Sequence, residues 1–344
     1  MTLAELARLA GVSRTTASYV LNGQGPARRI KAETIDKVLA VAQAHDFQVD
    51  TQAAALRGGA SRTLGFILPD LENTSYARLA KLLEQGARAR GYQLLIAGSD
   101  DNPDTEKELA RSLKARRCDV LIVASALAPD DPFYPQLQKA GLPVVAVDRA
   151  QSPDQLLCVL SDNRAAAQEL TRSVLAPDTA RIAWLDAVPE LAMTRDRRKG
   201  FLAAANEAGV SPLVESGPHY DRDSGATMMT RILQEHGLPD ALVTASYTLL
   251  QGVLDVLLDL PDGLPQQLRL ATFGDDRLLD FLPVSVNSLP QDHEAIARAT
   301  LDQAMAALEP GTPCKTVTIN RSLKTRPRAP GLQAPQTTTG AAAD

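Results

Sequence analysis

The sequence predicts an all-α head of the helix-turn-helix kind, followed by an α/β core of two doubly wound lobes, each built on a parallel sheet. Residues 3–45 carry short apolar stripes at helical spacing, broken by a glycine turn. From Arg62 on, short and almost wholly apolar runs alternate with amphipathic stretches. Strands that are apolar on both faces and separated by helices form parallel sheets covered on both sides. Seven such units exceed one ordinary sheet, so two lobes are expected. Charge divides the chain in the same place. Residues 1–62 carry a net charge of +3, whereas all 344 residues together carry −5. A small basic end is joined to a large acidic body.

Taken in order, LAELARLA places Leu3, Leu6, Ala7 and Ala10 on one helical face. Gly11-Val12-Ser13 makes a turn, with Ser13 placed to cap a second helix from Arg14 to about Leu21. That helix turns Val12, Ala17 and Val20 inward and presents Arg14, Thr15 and Tyr19 outward. A third helix runs from about Ala32 to His45, buried through Ile35, Val38, Leu39 and Ala42. Strands are expected at 64–69, 93–98, 119–124, 144–148, 181–186, 241–246 and 268–273. Helices are expected near 76–90, 104–116, 163–175, 195–208, 224–236, 247–259 and 291–308. The extended pieces around 157–162, 285–290 and 314–320 are suited to carry the chain between lobes. The domain division is then a head at 1–50, a linker at 51–61, a core at 62–325 and a low-complexity, disordered tail at 329–344. Within the core, lobe one takes about 62–159 and 291–320, and lobe two about 160–290.

Hydrophobic residues make up 44% and charged residues 22%, which is ample for packed cores and excludes wholesale disorder. Cys118, Cys158 and Cys314 lack CxxC spacing and read as three buried free thiols, in keeping with a cytoplasmic protein. The four histidines are isolated, so no metal or other cofactor is expected. The start lacks signal-peptide character and no apolar run is long enough to span a membrane. Asp275-Asp276 does not read as a glycosidase pair, since adjacent side chains point to different sides. No Ser-His-Asp arrangement is visible, and no enzyme is expected.

Ligands of open parallel sheets bind outside the carboxyl ends of the strands. Asp70, Ser99, Asp100, Ser125, Asp148, Arg149, Asp186, Ser246 and Asp275 stand at those ends. Hydroxyls and charges of both signs on two facing rims suit a sugar bearing an anionic group.

The run TLAELARLAGVSRTTASYVLNG resembles the DNA-binding head of the lactose-repressor (LacI/GalR) family, and the lobes resemble its sugar-binding, periplasmic-binding-protein-like core. The resemblance covers about residues 1–325. Stretches such as LPDLENTSYARLA, RGYQLLIAGSDDNPD and FGDDRLLDFL are similar to its fructose-responsive branch. It implies a transcriptional regulator, a repressor that also activates some genes, working as a homodimer, with a tetramer as alternative, on palindromic operator DNA. It names fructose 1-phosphate as inducer, with fructose 1,6-bisphosphate as the weaker candidate. By the same resemblance Arg14, Thr15 and Tyr19 read bases, and Ser13, Thr16 and Asn22 hold phosphates. Arg14 can make a bidentate contact to guanine. Residues 51–57 resemble a hinge helix too short to persist alone, whose Leu56 wedges into the minor groove. Val49-Asp50 stand where relatives carry Pro-Asn, and with Gly58-Gly59 they weaken the expected grip on DNA.

The effector set carried over is Ser75, Tyr76, Asp148, Arg149, Arg197, Ser246, Asp275 and Gln291. Arg197 with Asp275 is expected to hold sugar hydroxyls, and Arg149 with the Ser75-Tyr76 corner the phosphate. Two readings from other classes stand beside this one. A sugar-binding receptor calls for a signal peptide and no basic head. A sugar-phosphate enzyme calls for a general base or metal. Within the regulators, the alternative is a member that senses another sugar or a purine.

Overall fold

The computed structural model describes residues 1–21, 23–47 and 60–326. Asn22, Val49-Asp50, the hinge stretch with Leu56, Gly58-Gly59 and the tail from residue 327 lie outside the described residues. The chain divides into two compact units after Arg62.

The first unit holds three helices, α1 (Leu3–Ala10), α2 (Arg14–Leu21) and α3 (Ala32–Ala44). A reciprocal capping box starts α1: Glu5 N donates to Thr2 Oγ1 at 3.3 Å, and Thr2 N donates to Glu5 Oε2 at 2.7 Å. Gly11, at φ 66°, ends α1 in the left-handed region that glycine adopts without strain. Leu6, Ala7, Ala10, Ala17, Val20, Val38 and Ala42 form the core, with Ile35 and Val12 packed on its margin. Leu39 departs from expectation, being 46% exposed. The buried stripe of α3 follows 35, 38 and 42, and Leu39 lies about 100° round the helix from Val38.

The second unit carries two parallel sheets. The first has six strands in the order β11-β5-β4-β3-β1-β2. Its strands are β1 (Thr63–Leu68), β2 (Gln93–Gly98), β3 (Val120–Val123), β4 (Val144–Val147), β5 (Leu157–Ser161) and β11 (Thr316–Ile319). The second has the order β10-β9-β8-β6-β7. Its strands are β6 (Arg181–Ala187), β7 (Ser211–Gly217), β8 (Ala241–Thr244), β9 (Arg269–Phe273) and β10 (Val286–Leu289). Alternate residues feed opposite faces. Leu64, Phe66 and Leu68 pack under α4 (Thr74–Ala89) and α11 (His293–Ala306). Ile67, Leu121 and Val123 pack under α5 (Pro103–Ala115) and α6 (Phe133–Lys139). In the second sheet Trp184 packs with α7 (Arg164–Arg172) and α8 (Ala192–Glu207). Leu185 and Leu242 pack with α9 (Arg222–His236) and α10 (Tyr247–Leu258).

All seven expected strands form. The three extended pieces are themselves edge or near-edge strands, β5, β10 and β11, after each of which the chain crosses between sheets. Beyond β11 the crossing is pinned by an antiparallel bridge between Ser288 and Lys324. Strand β7, helix α6 and a 3-10 turn at Arg277–Phe281 were not expected. Cys118 and Cys158 are buried, but Cys314 is exposed, because it precedes the edge strand β11, which has a neighbour on one side only. Among the described residues no helix is long and apolar enough to cross a membrane.

Helices α9 and α10 touch backbone to backbone through two glycines. A methyl group on Gly252 would stand 1.8 Å from the Arg222 carbonyl oxygen, and one on Gly225 2.2 Å from that of Leu249. Gly252→Ala is therefore expected to cost about 1–3 kcal/mol or more through overpacking, read as a lowered melting temperature.

Candidate functional site

On the head, α2 presents Arg14 and Thr15 exposed, with Thr16 and Tyr19 half-buried beside them. Ser13 caps the helix: Thr16 N donates to Ser13 Oγ at 3.0 Å, and the hydroxyls of Ser13 and Thr16 are 2.9 Å apart. One hydroxyl hydrogen is spent between them, and the other is free to donate to an outside acceptor such as a phosphate oxygen. Arg28 lies 4.8 Å from the Tyr19 ring centroid, which adds a second cation to this face.

In the core, a cavity of about 190 Å³ opens at the carboxyl ends of strands from both sheets. All eight residues expected to bind effector line it. Among them is Asp148, in the left-handed region at φ 64° where β4 ends. Tyr76 Oη donates to Asp148 Oδ2 at 2.8 Å, and Gln291 Nε2 donates to Oδ1 at 2.7 Å. Burial works against this carboxylate, but Arg197 and then Arg321 more than compensate and hold its pKa below the usual range. Arg197 leaves α8 and donates to Asn163 Oδ1 and to the Ala245 carbonyl, both at 2.8 Å. Its guanidinium carbon lies 4.4 Å from the centroid of Phe273, and that of Arg321 lies 5.3 Å from the same ring. Two buried cations thus share one aromatic ring and one carboxylate.

Two of the eight are also engaged by partners within the protein. Arg149 is buried and ion-paired with Asp101, and it also donates to the Ser125 carbonyl at 3.5 Å. Its charge is answered within the protein. Asp275 is the second of these residues. It accepts from Arg326 Nη2 at 2.6 Å, Ser288 Oγ at 2.7 Å and Lys324 Nζ at 3.3 Å. Burial raises its carboxyl, and these donors outweigh burial and lower it. Ser246 caps α10, accepting from Leu249 N at 3.2 Å, which leaves its hydroxyl hydrogen to donate.

Other rim residues serve the fold. Asp186 accepts from Trp184 Nε1 at 2.6 Å and from Arg198 Nη2 at 2.7 Å. Ser125 donates to the buried Glu106 at 2.6 Å. Sequence reasoning missed Arg78, Tyr220, Phe273, His293 and Arg321 among the lining residues. Arg321 follows β11, so its place just past a crossing strand was the available signal.

Residues 2–50 match bacterial regulatory proteins of the lacI family, and residues 61–259 match the periplasmic binding proteins and sugar binding domain of LacI family. The fructose operon regulatory protein of Vibrio cholerae is 49% identical over 326 residues, covering 95% of this chain and 100% of the relative. The chain belongs to the LacI family. The catabolite repressor/activator of Escherichia coli K12 is 41% identical over 95% of this chain and 98% of its own. The Cra transcriptional dual regulator of Pseudomonas putida, solved with fructose 1-phosphate, is 49% identical with TM-score 0.75. It covers 77% of this chain and 98% of its own. The lac repressor dimer bound to operator shares the fold at TM-score 0.79, with 19% identity over 95% of this chain and 99% of its own. As a LacI-family protein the chain is a DNA-binding, sugar-responsive transcriptional regulator, like these relatives and unlike an enzyme. Its helix-turn-helix head and its two-lobed core are the two working parts of that family.

Proposed function

We propose that the core cavity binds a ketose phosphate, fructose 1-phosphate first and fructose 1,6-bisphosphate more weakly, and that its binding releases the protein from palindromic operator DNA. The observation that carries this is the buried pair Arg197 and Arg321 over Phe273, of which Arg321 Nε has no hydrogen-bond partner among the described residues. Burial and repulsion by Arg197 lower the Arg321 pKa to about 9, so the cavity holds positive charge that an anionic ligand relieves. Asp148, Gln291 and Tyr76 supply the acceptors and donors that sugar hydroxyls need.

The regulator works in the cytoplasm as a homodimer, since palindromic half-sites call for paired heads. Arg14, Thr15 and Tyr19 read bases, while Ser13, Thr16 and Asn22 hold phosphates. The same sites serve repression of sugar-uptake genes and activation of others. Operator binding followed by fluorescence anisotropy is expected to weaken by about 5- to 150-fold under saturating fructose 1-phosphate, the range of ordinary coupling energies. An affinity unmoved by fructose 1-phosphate but shifted by another sugar or a purine would replace this reading with the alternative effector. Light scattering of the operator complex checks the dimer against a tetramer.

A further inference from the structure

At one corner of the cavity two helix N-termini meet. Ser75 is the second residue of α4 and His293 the first of α11, and Ser75 Oγ lies 2.9 Å from His293 Nε2. The surrounding hydrogen bonds fix where the protons are. Gln291 gives its amide nitrogen to Asp148, which turns its oxygen toward Ser75, and Ser75 Oγ donates to that oxygen at 2.6 Å. A serine has one hydroxyl hydrogen. His293 Nε2 must therefore carry the proton it shares with Ser75, and Nδ1 is the bare nitrogen.

The ring is neutral in this state. Burial and the Arg78 guanidinium, followed by Arg321, push its pKa down to about 4, against the opposing pull of Asp148 and of the Gln291 carbonyl. These groups come from α4, the end of β4, the stretch past β11 and the approach to α11, which are the elements around the ring. Arg78 lies one turn into α4 on the cavity rim, and its side chain makes no hydrogen bond or ion pair among the described residues. Arg321, nine-tenths buried on the same cavity, presents the unpartnered Nε. Two helix N-termini, each equivalent to about half a positive charge, add to a corner already short of negative charge. Arg149, on the same cavity, is ion-paired with Asp101.

We propose that Arg78 and His293 form the phosphoryl end of the effector pocket, and that His293 takes up one proton at Nδ1 as the phosphoryl dianion docks. This rests on the sugar-phosphate reading above. The dianion supplies the charge that stabilises the imidazolium. The added proton, drawn from solvent, is donated to the Gln291 backbone carbonyl, and Arg78 donates to phosphoryl oxygens while the Ser75 hydroxyl stays on Gln291. Arg78 and His293 thereby select a phosphorylated sugar over the free sugar.

The test is calorimetry on the full-length protein near pH 7, in buffers of different ionisation enthalpy, with fructose 1-phosphate and fructose as probes. Wild type is expected to take up a measurable fraction of a proton with fructose 1-phosphate. His293→Gln, which keeps an N–H donor but cannot charge, is expected to lose that uptake. Arg78→Gln is expected to weaken fructose 1-phosphate at least about tenfold, as for a lost charged hydrogen bond, and to leave the weaker binding of fructose unmoved. Operator binding without effector verifies that both variants are folded. Tight binding by wild type with the same proton balance in His293→Gln, or no loss in Arg78→Gln, overturns this assignment alone. Failure of wild type to bind fructose 1-phosphate overturns the reading beneath it.

Discussion

Arg197→Ala is expected to abolish release from operator by effector while leaving operator affinity in its absence within a few-fold of wild type. Arg197 bonds the crossover residue Asn163 and the carbonyl of Ala245, stacks on Phe273 and opposes the burial cost of Asp148. Alanine removes all four interactions, and losing a buried charged hydrogen bond alone costs about 1.5–3 kcal/mol. That is comparable to the whole coupling energy typical of such regulators, about 1–3 kcal/mol. The head is a separate compact unit, so its contacts with DNA survive. Arg197→Lys is expected to recover little, since an ammonium cannot hold two fixed acceptors and a ring face together. Anisotropy titration of operator with and without fructose 1-phosphate reads both variants, and induction that survives Arg197→Ala would remove this residue from the site.

Arg14→Ala is expected to weaken specific operator binding by about 5- to 150-fold, the 1–3 kcal/mol of one bidentate base contact. Binding to unrelated duplex should change far less, and the salt slope by no more than about one ion. Arg14 is exposed at the first turn of α2, outside the head's apolar core, so the melting temperature should stay put. An equal loss on operator and unrelated DNA would make Arg14 a phosphate contact and not a reader of bases.

The parts of the fold legible in the sequence are those whose burial is uniform. TLGFIL and the runs at β3, β4 and β8 are buried at nearly every position, and no competing pattern explains such segments. Strand β7 hides because SPLVESG is an edge strand, mixed in polarity, largely exposed and interrupted by Pro212. Helix α6 hides because FYPQLQK is two turns long and contains Pro135. The cavity lining was legible from strand ends, because parallel topology brings them to one rim. The pairings were not. Asp101 reaches Arg149 from a left-handed turn after β2, and Arg326 reaches Asp275 from a stretch remote in sequence. His293 looked isolated because its neighbours, Ser75 and Arg78, are far along the chain.

The interleaving of the two sheets sets an order of assembly during synthesis. The second sheet and its helices run without interruption from Arg164 to Leu289, so they are complete once that stretch has left the ribosome. The first sheet, although begun earlier, still lacks its last strand and the helix that covers Leu79 and Leu83. Those leucines stay open to water until residues 293–319 emerge. A message cut short just before His293 would therefore yield a polypeptide with a finished half and a greasy unfinished one, the kind that chaperones hold and proteases clear.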